Sequence, residues 1–95
     1  MKIIFDHEKN ARNIEERNIS FAKALEFDWL TASIDLDRRK NYGEVRFIAV
    51  GYIETRLHFL IYTKRSSEFR IISLRKANSR ERRKYEKEKA KSLLN

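Results

Sequence analysis

Basic side chains interleaved with tyrosine, histidine and a few acids are a set that can cleave RNA without a metal ion. The ribose 2′-OH attacks the neighbouring phosphate, one group takes its proton, another protonates the leaving 5′-oxygen, and cations stabilise the dianionic phosphorane. Arginine offers a rigid fork for phosphate oxygens and lysine a point charge. The densest supply of such residues is the stretch 70–85, where seven Lys or Arg stand against a single acid, Glu81, giving +6 of the chain's total +8. The catalytic candidates are Arg46, His58, Arg75, Lys76, Arg80, Glu81 and Tyr85. Glu44, Arg70, Ser73, Arg82 and Arg83 are candidates for binding RNA. Each also has a plainer use. His58 fits a hydrogen-bonded sheet histidine, Tyr85 packing, Glu81 a helix cap, and Arg46 with Glu44 a cross-strand ion pair.

Composition excludes several other chemistries. The chain has no cysteine, so neither a disulfide framework nor a cysteine-rich zinc site is possible. Its two histidines, His7 and His58, lack metal-ligand spacing, and its two glycines, Gly43 and Gly51, form no phosphate loop. No metal and no cofactor is expected. A pI near 10 favours a polyanionic partner, nucleic acid or an acidic protein. No apolar run approaches the roughly 20 residues of a membrane span, and the N-terminus turns polar too early for a secretion signal. A cytoplasmic protein with no membrane partner is the expectation.

The elements that must position these residues follow from the pattern. Ninety-five residues without a linker or repeat read as one domain, 1–95. Residues 2–5 suit a short strand. Asp6 caps a helix that runs to about Arg17, and Asn18 suits its left-handed end. Ser20 caps a second helix reaching about Phe27, with Phe21, Ala24 and Leu25 at helical spacing. Residues 31–36 are β-compatible. Three further strands, near 45–50, 57–63 and 69–75, are rich in β-branched and aromatic residues and joined by short turns. Asn78, with Glu81 three residues on, opens a basic helix over about 78–94. The order β-α-α-β-β-β-β-α defines an α+β fold, a small antiparallel sheet with helices packed on one face and the other face partly open.

Pairing across the 64–69 hairpin sets Tyr62 opposite Ile71 and His58 opposite Arg75. That places His58, Tyr62, Ser73 and Arg75 on the open face, with Leu57, Phe59 and Ile61 toward the helices. Arg46 and Glu44 join the open face if Val45, Phe47 and Ala49 form the core side.

The segments FDHEKNARNI, ISFAKA, GEVRFIAVG and above all RIISLRKANSRERRKYE closely resemble the BrnT toxins of bacterial type II toxin–antitoxin pairs. The resemblance spans about residues 3–85 and places Glu44, Arg46, Arg70, Ser73, Arg75, Lys76, Arg80, Glu81 and Tyr85 at motif positions. It implies a RelE-like fold and a ribonuclease that blocks translation by cutting RNA, mRNA above all. It also implies neutralisation by a BrnA-type ribbon-helix-helix antitoxin, through which alone operator DNA is bound. One departure stands out. Family members usually carry Lys-His-Gly before the second helix, where this chain has Glu16-Arg17-Asn18. From the residues alone, a non-catalytic RNA-binding module or an antitoxin-docking module using the same basic face remains the alternative.

Overall fold

A computed structural model describes residues 2–94. Strand β1 (Lys2–Phe5) leads into helix α1 (His7–Arg17) and a 3₁₀ helix (Phe21–Glu26). Strands β2 (Ser33–Leu36), β3 (Phe47–Ile53), β4 (Arg56–Arg65) and β5 (Glu68–Lys76) follow, and helix α2 (Ser79–Leu94) closes the chain. The α+β class and the element order are those read from the sequence. The sheet runs β1-β5-β4-β3-β2, antiparallel throughout except for β1, which lies parallel to β5.

Local chemistry fixes the helix ends. The Asp6 carboxylate accepts the Lys9 backbone N–H at 3.0 Å, and Asn18 takes the left-handed conformation (φ 58°, ψ 35°) while its N–H reaches the Ile14 carbonyl. Asparagine tolerates this conformation better than most residues, so the Asn18 substitution keeps the helix stop. The Ser20 hydroxyl accepts the Ala22 N–H and opens the 3₁₀ turn.

The core lies between one sheet face and the 3₁₀ helix. Phe21, Ala24 and Phe27 meet Ala49, Leu60, Ile71 and Leu74, all buried. Phe47, Tyr62 and Phe69 stack in a ladder across three strands at 5.4 and 5.2 Å, and Trp29 packs edge-on against it. Gly51 is required by this packing, because a Cβ there would sit 2.6 Å from Phe27 Cζ.

The helices are not confined to one face as expected: the opposite face carries α2. Tyr85 packs with Leu57, Ala77, Val50, Tyr52 and Phe59, and the rest of that face stays open. The register corrects one expectation. Lys64 and Tyr62 pair with Phe69 and Ile71 as read, but a bulge at Ile61/Tyr62 leaves Ile72 as an extra residue on β5. Beyond it Ile61 opposes Ser73, Phe59 opposes Arg75 and His58 opposes Lys76. The extra residue inverts the relation between strands. Phe59 and Ile61 therefore share the open face with Ser73 and Arg75, while His58 and Tyr62 turn to the core side. Val45 is also off the core, 61% exposed at the mouth of β3, though Phe47 and Ala49 face inward as expected.

Candidate functional site: a guanidinium cleft on the open face

A cleft of about 440 Å³ opens over β4 and β5, lined by Arg17, Arg39, Lys40, Tyr42, Arg46, Ser73 and Arg75 together with Ile61 and Ile72. None of its lining residues is acidic. Four guanidinium groups converge here from three separate pieces of chain: Arg17 at the end of α1, Arg39 and Arg46 in the loop before β3, and Arg75 near the end of β5.

Each is anchored. Arg75 lies 4.4 Å over the Phe59 ring, a cation–π contact, and its Nη1 and Nη2 donate to the two Glu81 carboxylate oxygens at 2.9 Å each. Glu81 is at the same time a helix cap. Its Oε1 accepts the Asn78 N–H at 2.9 Å while Asn78 Oδ1 accepts the Glu81 N–H at 2.8 Å, a complete capping box. The Arg75 guanidinium holds the Glu81 carboxyl down to about 2, and Glu81 in turn raises the Arg75 pKa, while Arg39, a like charge nearby, works against it. Arg39 makes a two-pronged pair with Asp37 at 2.8 Å, and the Asp37 side chain is wholly buried. The hydrogen bonds from Arg39 hold the Asp37 carboxyl far below the usual carboxylate range. Arg46 donates to Glu44 at 3.2 Å and lies 4.1 Å over the Tyr42 ring. Its hydrogen bond keeps Glu44 below its ordinary pKa. Arg17 donates from Nη1 to Ser73 Oγ at 3.1 Å and to Asn13 Oδ1 at 2.9 Å.

Beside the cleft, across Tyr42 and Arg46, a second depression of about 280 Å³ holds Glu44, Arg65, Arg70 and Lys9. Arg65 lies 3.6 Å from Glu44. The two hollows share Tyr42, Arg46 and Ile72, and the second also contains the acids Asp6 and Glu44.

Of the sequence candidates, Arg46, Ser73 and Arg75 meet in the cleft, Glu81 joins through Arg75, and Glu44 and Arg70 flank it. Others stand apart. His58 is buried on the core side, its Nδ1–H donating to the Arg56 carbonyl at 2.8 Å. Desolvation lowers its pKa, and the cations of Lys76 and Arg56 push it the same way. Lys76 lines a separate hollow with His58, Arg56 and Lys23. The Tyr85 hydroxyl donates to the Thr31 carbonyl and its ring packs edge-on to Tyr52, so its geometry is that of a packing residue. Arg80, Arg82 and Arg83 are exposed on α2 and none lines the cleft; Arg82 sits 4.0 Å from Glu86.

Arg17, Arg39, Lys40 and Tyr42 are cleft residues that the sequence reading did not select. The one available signal was at Arg17, which stands in the segment where the resemblance breaks and lies one helical turn from Asn13. Nothing in the 37–46 loop marks it as neighbouring β5. Among the described residues, no group of three or more His, Cys, Asp or Glu side chains is placed to hold a metal ion. Among the same residues, no helix is long and apolar enough to cross a membrane.

A small α+β domain that gathers guanidinium groups around a serine on an open sheet face presents donors whose chemistry suits phosphate oxygens. The family model for "Ribonuclease toxin, BrnT, of type II toxin-antitoxin system" matches residues 5–81, and the chain belongs to this family. No curated protein matches it. Membership makes the chain a ribonuclease toxin, with RNA as substrate and an antitoxin as partner.

Proposed function

We propose that the chain is a metal-independent endoribonuclease that blocks translation by cutting mRNA, and that the guanidinium cleft is its active site. The observation that carries this reading is the acid-free cleft, where Arg17, Arg39, Arg46 and Arg75 surround Ser73. The RNA 2′-oxygen attacks the adjacent phosphorus and the bond to the 5′-oxygen breaks. The products are a 2′,3′-cyclic phosphate and a free 5′-hydroxyl. Negative charge builds on the phosphorane oxygens, and fixed guanidinium donors stabilise it without reorganising. Arg75, clamped between Phe59 and Glu81, keeps Nε and one Nη2 hydrogen for a phosphate edge. In this reading Glu44 and Tyr42, which contact Arg46, are the candidates for carrying protons.

The whole chain acts as a single RelE-like toxin domain in the cytoplasm. Its neutralising partner is a BrnA-type ribbon-helix-helix antitoxin, which supplies all contact with operator DNA. A +8 toxin with a basic open face suits an acidic antitoxin segment that competes with RNA.

The test is cleavage of a defined RNA in chelator by the purified chain and by Arg75→Ala, with circular dichroism showing both folded. Loss of one transition-state cation is expected to cost about 10²–10³ in rate. A folded Arg75→Ala variant that cuts at the parent rate overturns this placement of the active site. RNA binding without cleavage by the parent chain would support a non-catalytic module instead.

A further inference from the structure

We propose that Arg17 is a ligand of the substrate phosphodiester, as the one of the four cleft guanidinium groups that faces no carboxylate among the described residues. This deepens the ribonuclease reading and rests on it. Three of the four guanidinium groups face a carboxylate: Arg39 faces Asp37, Arg46 faces Glu44 and Arg75 faces Glu81. Much of their charge is spent within the protein. Among the described residues, Arg17 is held only by neutral oxygens, Asn13 Oδ1 and Ser73 Oγ, both through Nη1. Its full positive charge, with Nη2 and Nε, is left for an anion.

Arg17 is also held in place. Asn13 is 6% exposed, and its amide donates to the Ile19 and Leu74 carbonyls at 2.9 Å each. Leu74 sits between Ser73 and Arg75 on β5. One buried amide therefore ties the end of α1, the entry to the 3₁₀ helix and the cleft floor together, and hands its remaining oxygen to Arg17. A long, rotamer-rich side chain is thereby set in advance for a phosphate. The ligand class is a phosphodiester of an RNA strand, contacted at a non-bridging oxygen.

The experiment uses the full chain and two probes: a cleavable RNA, and its fully 2′-O-methylated analogue, which has no attacking hydroxyl. Arg17→Ala is expected to lower cleavage at least tenfold. On the uncleavable strand its slope of log K against log salt should shallow by about 0.7, the loss of one phosphate contact. Arg17→Lys should keep the slope, since it keeps the charge, while recovering only part of the rate because it loses the fork. Arg12→Ala, on the same helix, should match the parent in both. A folded Arg17→Ala chain with the parent slope and rate overturns the assignment. If Arg75→Ala is inactive in that same series, the ribonuclease site survives and only the role of Arg17 falls. If the parent chain cuts no RNA, the ribonuclease reading fails, and the salt slope alone still decides for or against Arg17 as a phosphate ligand.

Discussion

Replacing Glu81 separates its two duties. One carboxylate closes the α2 capping box with Asn78 and clamps Arg75 through two 2.9 Å bonds. The Asn78 side chain still caps the helix without Glu81, so losing the reciprocal bond to the Asn78 N–H costs about 0.5–1.5 kcal/mol. The ion pair is part-exposed, at 39% and 24% for the two side chains, so solvent screening limits it to about 1 kcal/mol or less. Glu81→Ala should therefore destabilise the fold by about 0.5–2.5 kcal/mol, and Glu81→Gln, which can still accept the Asn78 N–H, by about 1 kcal/mol or less. For a domain this small, each kcal/mol moves Tm by roughly 4–8 °C. The assay is thermal unfolding followed by circular dichroism across pH.

The sign of the pH dependence follows from the lowered pKa. The folded state holds Glu81 at about 2 against an ordinary 4.5, so the unfolded chain binds the proton more readily. The stabilisation is complete above pH 4.5 and is lost as pH falls toward about 2. The gap between parent and Glu81→Gln should be constant at neutral pH and close as the solution is acidified. A gap that is absent at pH 7, or unchanged down to the acid limit, refutes the clamp. In the same variants, cleavage should fall further than RNA affinity, because Arg75 keeps its charge but loses its fixed direction.

Two further variants probe the frame. Gly51→Ala drives a methyl group into Phe27 and should lower stability by about 1–3 kcal/mol in urea unfolding, with no direct effect on the cleft. His58 is buried with a lowered pKa, so its contribution to stability is complete above pH 6.5 and falls away as the solution becomes more acid. His58→Gln should flatten that part of the stability profile and leave the cleavage rate at neutral pH within about twofold, since His58 does not reach the cleft.

Much of this molecule was legible in its sequence, and the failures have definite physical causes. The capping residues Asp6, Asn18, Ser20 and Asn78 were readable because each satisfies backbone groups within a few positions of itself. The strands were readable from their β-branched and aromatic runs. The relation between β4 and β5 was not. Ile72, the bulged residue, is β-branched and apolar like its neighbours, so nothing in the composition signals an extra position. That single residue exchanged His58 for Phe59 as the partner of Arg75. The seat of α1 was hidden for a different reason. Its inward groups are Asn10 and Asn13, whose amides bond to Phe21, Ile19 and Leu74, while the apolar Ile14 is 43% exposed. A helix docked by buried amides leaves no hydrophobic stripe to read, and Arg17 went unread with it. The convergence of Arg39 and Tyr42 on β5 is a product of tertiary structure alone.

Cleavage in this cleft is proposed to proceed by internal 2′-OH attack, with guanidinium groups in place of a metal. End-group analysis of the RNA fragments, after incubation with the purified chain in excess chelator, tests it most directly. Fragments ending in a 2′,3′-cyclic phosphate paired with 5′-hydroxyl ends, and their loss with Arg75→Ala, are the expected result. Fragments bearing 5′-phosphates, or cleavage that stops in chelator and returns with a divalent cation, would contradict it.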